Sequence, residues 1–309
     1  MRNHPALTRS QRTHLLFLGF LTPWLFGFIF LTVIPVITSL VLSFTNYDGL
    51  NWDSMKFVLF RNYARIFGDP EVGYSLRQTL LWMAIYLPLW IVVSVILAFL
   101  LHRARKWKSF FRLVYYLPSV VPAASVVVIW MSVLEKNYGL LNGLISMFRP
   151  GTAIGWVSDY SMQVLTIIVL WASLGAGMII FLAGLQNIPE ELLEAARIDG
   201  ASGWQILWKI ILPLMTPVIF FQLTIGLISV FQQVTYPLLL SFGAGMGSIG
   251  IPPREIYLYM FNAYHEILSN QRYGYGSALL WLLFVGIVIL SLVLFWSQKF
   301  WVHTDDAAA

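Results

Sequence analysis

Residues 187 to 213 place a polar segment between two apolar runs, and the residues there suit recognition rather than bond-breaking. Pro189 fits the first turn of a helix, and Glu190, Glu191 and Glu194 complement the positive end of its dipole. Asp199-Gly200 predicts a stop and a turn, because glycine takes the left-handed conformation that ends a helix. Ser202 followed by Gln205 predicts a capping box opening a second short helix. Leu212-Pro213 returns the chain to an apolar run. Two short helices joined at a glycine, with Leu192, Ala195, Ala196 and Ile198 as an apolar face, suit docking into a partner's groove. Nothing in the segment has the make-up of a catalytic site.

A second set of candidates lies inside the apolar runs. Trp171 and Ser173 occupy one run, and Gln222, Thr224, Ser229, Gln232 and Gln233 another. A buried amide is costly unless paired, so these groups need partners. A sugar would satisfy them, since its hydroxyls suit amides and its ring faces suit aromatics. Helix–helix hydrogen bonding and aromatic anchoring at the interface satisfy them equally well. Adjacent Gln232 and Gln233 stand about 100° apart on a helix and so cannot share one cavity. Gln233 is preferred, then Ser173 and Trp171. The runs hold no Asp or Glu between their edges, and Arg77 and His102 sit at ends. A carrier driven by ions or protons normally needs ionisable groups there. The lack of internal cations favours a neutral solute.

Other chemistry is poorly represented. The chain lacks cysteine, which removes disulfides, thiolate metal sites and cysteine nucleophiles. No His, Asp or Glu cluster has metal-ligand spacing, and no cofactor is expected. No GxxxxGK[ST] phosphate loop is present, so any ATP chemistry belongs to another chain. Gly245 to Gly250 matches GxGxxG, but it follows an apolar helix rather than a strand and reads as a chance match.

These residues must be positioned by membrane helices. The 309-residue chain is 59% hydrophobic and 11% charged, the composition of a polytopic membrane protein. Six spans are predicted, at about 15–44, 76–101, 113–134, 162–185, 214–234 and 278–300. The first run is too long for a signal peptide and lacks a small-residue cleavage site, so it reads as a retained span. Arg103, Arg105, Lys106, Lys108 and Arg112, with Arg2, Arg9 and Arg12, put the 102–112 loop and the N-terminus in the cytoplasm. Six spans then return the C-terminus to the cytoplasm, with the 187–212 hairpin on the same side. The net charge of +5 therefore signals topology, not nucleic acid. The outer loops, roughly 45–75, 135–161 and 235–277, read as irregular segments folded onto the membrane face. The first carries both signs of charge, fitting either a solvated surface or a docking surface. Prolines 23, 35, 88, 118, 122 and 217 predict kinks. Ala172 with Ala176, and Ser173 with Gly177, predict close helix contact. No repeat divides the chain, so one domain, residues 1–309, is expected.

The chain resembles a known family. Glu194-Ala195-Ala196, three residues, Gly200, nine residues, Ile210, one residue and Leu212-Pro213 fit the EAA loop of ABC-importer permeases. Phe44 to Tyr47, Asn62-Tyr63, Tyr116-Leu117-Pro118, Gly139 to Asn142 and Gly274 to Ala278 are similar to its carbohydrate branch. The 245–250 loop departs from the Gly-Gly-Pro form common there. The resemblance implies an all-α, type I importer permease in a bacterial or archaeal cytoplasmic membrane, surrounded by lipid. It implies a second permease subunit, an ATPase dimer, an extracytoplasmic solute-binding protein and a sugar substrate. It assigns Glu194, Ala195, Ala196, Asp199 and Gly200 to ATPase coupling. For the sugar path it supports Trp171 and the Phe231-Gln232-Gln233 stretch, beside Ser173 and Ser229. A secondary carrier or channel acting alone, and a permease for a non-sugar solute such as glycerol-phosphate, remain the alternatives. An intramembrane enzyme has no residue set to support it.

Overall fold

Hydrocarbon offers a backbone no water to pair with, so the long apolar runs of this chain resolve as helices. The computed structural model describes residues 9–104, 106–241 and 250–303, with side chains from residue 17. Arg2, Arg105 and residues 245–249 of the glycine-rich stretch lie outside the described residues, as do the side chains of Arg9 and Arg12. In chain order the helices are α1 (Arg9–Phe28), α2 (Ile34–Ser43), α3 (Arg61–Gly68), α4 (Pro70–Arg103), α5 (Lys108–Val120), α6 (Ala123–Leu134), α7 (Leu140–Phe148) and α8 (Trp156–Asp159). Then follow α9 (Ser161–Gln186), α10 (Glu190–Ile198), α11 (Gly203–Ile206), α12 (Leu212–Phe231), α13 (Thr235–Ser241), α14 (Tyr259–Leu268) and α15 (Tyr273–Ser297).

Among the described residues, five helical runs are long and apolar enough to cross a membrane: Phe17–Ser43, Pro70–Arg103, Ser161–Gln186, Gly203–Ser241 and Tyr273–Phe300. Each contains or closely matches one of the spans expected from hydropathy. The remaining expected span, 113–134, is not one straight helix. It divides into α5 and α6, which meet at 99° and count as a sixth span only when taken together. The reason is local. Pro122 disfavours helical backbone in the residue before it, and Val121 is extended at φ −73°, ψ 132°. Two prolines four residues apart, 118 and 122, therefore make a corner, where the sequence predicted only kinks.

Prolines also explain two widened turns. One π-helical turn, Ile29–Val33, ends two residues before Pro35, and the other, Leu207–Ile211, ends two residues before Pro213. A proline ring crowds the carbonyl four residues back, here Leu31 or Lys209, each inside its π turn. Widening the helix makes room without breaking it.

Two compact units are formed. The first comprises residues 1–68 and 266–281. Here the Asn62 amide donates to the carbonyls of Ser43 at 2.8 Å and Thr45 at 2.7 Å, and Tyr63 shares a 2.8 Å hydrogen bond with the Ser43 hydroxyl. The Gly274 N–H donates to the Tyr47 carbonyl at 2.9 Å, and a Cβ at Gly274 would collide with the Thr45 carbonyl. Three of the stretches that carry the family resemblance thus form one knot.

The second unit comprises residues 69–265 and 282–309. Its core is α4 against α9 and α12. Trp82, Tyr86, Leu87 and Trp90 form one buried cluster with Val164, Leu165, Ile168 and Val230. Ala98, Met178, Phe181, Ile206 and Met215 form another. Small residues allow the approach: Ser173 and Gly177, an expected pair, both face α4, whereas the expected Ala172–Ala176 pair divides, Ala172 being buried and Ala176 exposed. The outer segment 135–155 is held by Asn142. Its buried amide nitrogen donates to the carbonyls of Lys136 and Ile154, both at 2.9 Å, and its oxygen accepts the Trp156 indole N–H at 3.0 Å. Asn142→Ala should strand these groups and lower stability by about 2–4 kcal/mol, seen as a lower unfolding temperature in detergent.

Candidate functional site

The polar hairpin is built as its caps predict at both turns, but its second arm does not end as a short helix. After α10, the Gly200 N–H donates to Arg197 at 3.1 Å and the Ala201 N–H to Ala196 at 2.9 Å, the paired bonds of a Schellman motif. Gly200 has φ +80° and nothing within 4 Å of a Cβ position, so backbone conformation alone demands glycine there. Ser202 and Gln205 form the reciprocal capping box. The second helix is not a separate short arm, however. α11 passes through the Leu207–Ile211 π turn into α12 as one run, Gly203–Ser241. The π turn accommodates Pro213 without a break, so the hairpin's second arm is the cytoplasmic end of a span.

The expected apolar face also divides. Leu193 and Ala196 turn inward onto the cluster of Leu185, Ile206 and Met215. Leu192, Glu194, Ala195, Ile198, Asp199 and Gly200 are exposed, Ile198 at 86%. Ala196 therefore sets how closely α10 lies on its own chain, while Ala195 faces outward with Ile198. Among the described residues no acid of the hairpin is in an ion pair. The outward face combines apolar Leu192, Ala195 and Ile198 with Glu191, Glu194 and Asp199.

In the interior, Ser229 bonds back to its own helix, donating to the Ile225 carbonyl at 2.8 Å, whereas Ser173 joins two helices. Its hydroxyl lies 2.7 Å from the Val169 carbonyl and 2.9 Å from the Tyr86 hydroxyl. Because Ser173 donates to the carbonyl, Tyr86 donates to Ser173. Tyr86 stacks on Trp82, with ring centroids 4.8 Å apart. Trp171 points elsewhere: it is 37% exposed and meets Trp130 edge-on at 6.0 Å. Ser229 and Gln232 are exposed, Gln233 is half-buried and Gln222 is buried.

Gln232 and Gln233 are not in a helix. α12 ends at Phe231 and Gln232 has φ −88°, ψ 3°, so the argument from a 100° helical offset does not apply. Both stand in the break before α13, where their N–H groups close the last turn of α12 on the Ile228 and Val230 carbonyls, each at 3.2 Å. The structure thus joins Ser173 to Tyr86 and groups Ser229, Gln232 and Gln233 at the end of α12. It does not bring all five together.

The interior also holds a feature that hydropathy conceals. Trp82, Tyr86, Trp90 and Ser94 follow each other at four-residue spacing on α4, a column of roughly 18 Å. The buried indole N–H groups of Trp82, Trp90 and Trp130 and the Ser94 hydroxyl have no hydrogen-bond partner among the described residues. Their i, i+4 spacing was the available signal. Gly177 lies against this column, where a Cβ would stand 2.7 Å from the Trp90 ring and 2.8 Å from the Ser94 oxygen. Gly177→Ala should push α4 from α9 and cost about 1–3 kcal/mol, measurable as a fall in the unfolding temperature.

Among the described residues no three His, Asp or Glu side chains converge as metal ligands. The described residues form a helical membrane protein whose solvent-facing hairpin continues directly into a span, the architecture of a transport permease. The chain belongs to the family of binding-protein-dependent transport system inner membrane components, matched over residues 90–302. It is 34% identical over 291 residues to the probable ABC transporter permease protein YesP of Bacillus subtilis (strain 168), covering 93% of this chain and 92% of that one. It is 27% identical to the lactose transport system permease protein LacF of Rhizobium radiobacter, covering 86% and 88%. A solved bacterial alginate ABC transporter, in complex with an alginate pentasaccharide-bound periplasmic protein, has a chain of the same fold. The TM-score is 0.77 at 18% identity, covering 94% of this chain and 96% of that chain. The protein is thus an inner-membrane, multi-pass permease component of a binding-protein-dependent ABC transport system.

Proposed function

We propose that this permease imports a neutral sugar, pairs with a second, different permease subunit, and receives the ATPase on its 187–212 hairpin. The observation that carries the docking reading is the exposed face of α10. Ile198 is 86% exposed at the end of a helix fixed by a Schellman turn, an apolar tip that suits a partner's groove. Glu194 and Asp199 flank it and would select a polar or basic rim, while Ala195 would allow close approach. Gly200 would hold the angle between α10 and α11. Because α11 runs into α12, movement of the hairpin would carry α12 with it, shifting Gln222 and the Gln232-Gln233 break. The sugar reading is supported by the lactose permease relative, and by hydroxyl, amide and aromatic groups in an interior without acids.

Gly200→Val places a β-branched residue at positive φ, a conformation it strongly disfavours. In a reconstituted complex, substrate-stimulated ATP hydrolysis should lose its link to uptake, with uptake falling about five- to thirtyfold, as a hinge strained by about 1–2 kcal/mol predicts. Normal uptake with normal coupling in that variant would refute the docking role. The solute class is tested separately, by ATP-dependent uptake of neutral oligosaccharides against glycerol-phosphate; preference for the latter would overturn the sugar reading alone.

A further inference from the structure

Two cavities meet at the cytoplasmic end of α4, and neither belongs to the outward face of the hairpin. The first, about 480 Å³, is lined by His102, Arg103, Glu190, Arg197 and apolar neighbours including Phe99. Its two arginines outnumber its one carboxylate, and among the described residues neither arginine is in an ion pair. Arg103 lies over the Phe99 ring at 4.8 Å, and its guanidinium stands 4.0 Å from the Cβ position of Gly203. The second cavity is an open groove of about 400 Å³ between α4 and α12, walled by side chains such as Val92, Ile96, Leu100, Leu212 and Ile219. Its lining is wholly apolar, and Phe99 is a wall of both cavities.

The level of these cavities in the membrane identifies what fits them. Trp204 and Trp208 are 68% and 54% exposed with rings 5.5 Å apart, and Trp208 walls the groove at its cytoplasmic end. Exposed tryptophans of this kind sit at headgroup depth. From Ile91 to Leu100 the groove follows α4 for roughly 14 Å, close to half of a hydrocarbon core of about 30 Å. An apolar trough one leaflet deep, ending in a cationic pocket at headgroup level, has the dimensions and charge of a phospholipid. The excess of one positive charge matches one phosphodiester.

We propose that this joint surface binds one anionic phospholipid of the cytoplasmic leaflet, with an acyl chain in the α4–α12 groove and the phosphate beside Arg103 and Arg197. Both arginines approach the pocket from opposite sides of the hairpin base, Arg103 from the end of α4 and Arg197 from α10. A lipid there would bridge α10 to the spans, so the site would make the set of the hairpin sensitive to membrane composition. The site does not depend on the hairpin's docking role.

The test uses the assembled complex in nanodiscs of phosphatidylcholine doped with phosphatidylglycerol, with retained lipid counted by native mass spectrometry. The wild type should retain one phosphatidylglycerol. Arg103→Gln with Arg197→Gln should weaken retention about thirty-fold, the effect of removing two arginines beside a phosphate. Ile96→Trp, at a position 51% exposed, should fill the groove and release the lipid with both arginines intact. Three results would overturn the proposal. The first is equal retention of phosphatidylcholine. The second is displacement of the lipid by inorganic phosphate with no effect of Ile96→Trp. The third comes from Ile96→Cys, a single thiol in a chain without cysteine: cross-linking to the second permease subunit would make the groove a subunit interface.

Discussion

Every backbone N–H and C=O within a bilayer must find a partner in the protein, and this chain repeatedly removes partners by placing prolines in its apolar runs. The structure meets that conflict in three ways. Where a proline can be absorbed by widening one turn, as before Pro35 and Pro213, the helix continues through a π turn. Where Pro118 and Pro122 combine, the helix breaks and changes direction by 99°. At Gln232 the helix stops, and the chain restarts at Thr235. Irregular backbone at membrane depth is tolerated only where it is buried in protein or lines a water-filled path. At the Gln232-Gln233 break the two N–H groups still reach the Ile228 and Val230 carbonyls, both at 3.2 Å, so polar side chains gather there while the helix end stays capped.

The same constraint shapes the 187–212 hairpin. Had Pro213 broken the helix, the hairpin would hang from the membrane on a flexible joint. The π turn keeps α11 and α12 in one run, so the capping box of Ser202 and Gln205 anchors one end of a span. Leu193 and Ala196 then fix α10 against the cluster that also contains Ile206, Ile211 and Met215. The hairpin is a rigid corner of the span, held by packing on one side and by a glycine turn on the other. In the proposed docking, force applied to α10 would reach α12 without a loose link between them.

Much of this was legible in the sequence, and the limits have physical causes. Hydropathy located the helices because burial in lipid is a property of the whole run. The turn at Gly200 and the capping box at Ser202 were legible because each depends on residues within one or two turns. The direction in which a side chain faces was not. Leu192, Leu193, Ala195 and Ala196 are all apolar, and only packing against Leu185 and Met215 separates those facing in from those facing out. Pro118 and Pro122 were visible, but whether a proline kinks, widens or breaks a helix is decided by what surrounds it. The Trp82–Ser94 column escaped notice because tryptophan reads as apolar in a hydropathy count, although its indole N–H is polar. Stretches such as Asn142 and Gly274 drew attention through a family resemblance and proved to hold the fold, one by hydrogen bonds and the other by the room that a missing Cβ leaves.

The central claim, that the exposed tip of α10 docks on the ATPase, has a direct test because the chain contains no cysteine. A single thiol at Ile198→Cys, in the assembled complex, would be offered a short bifunctional cross-linker and, in parallel, a soluble maleimide. The account predicts a cross-link to the ATPase subunit and protection from the maleimide until that subunit is removed. Full maleimide labelling in the intact complex, with no cross-link to the ATPase, would contradict it.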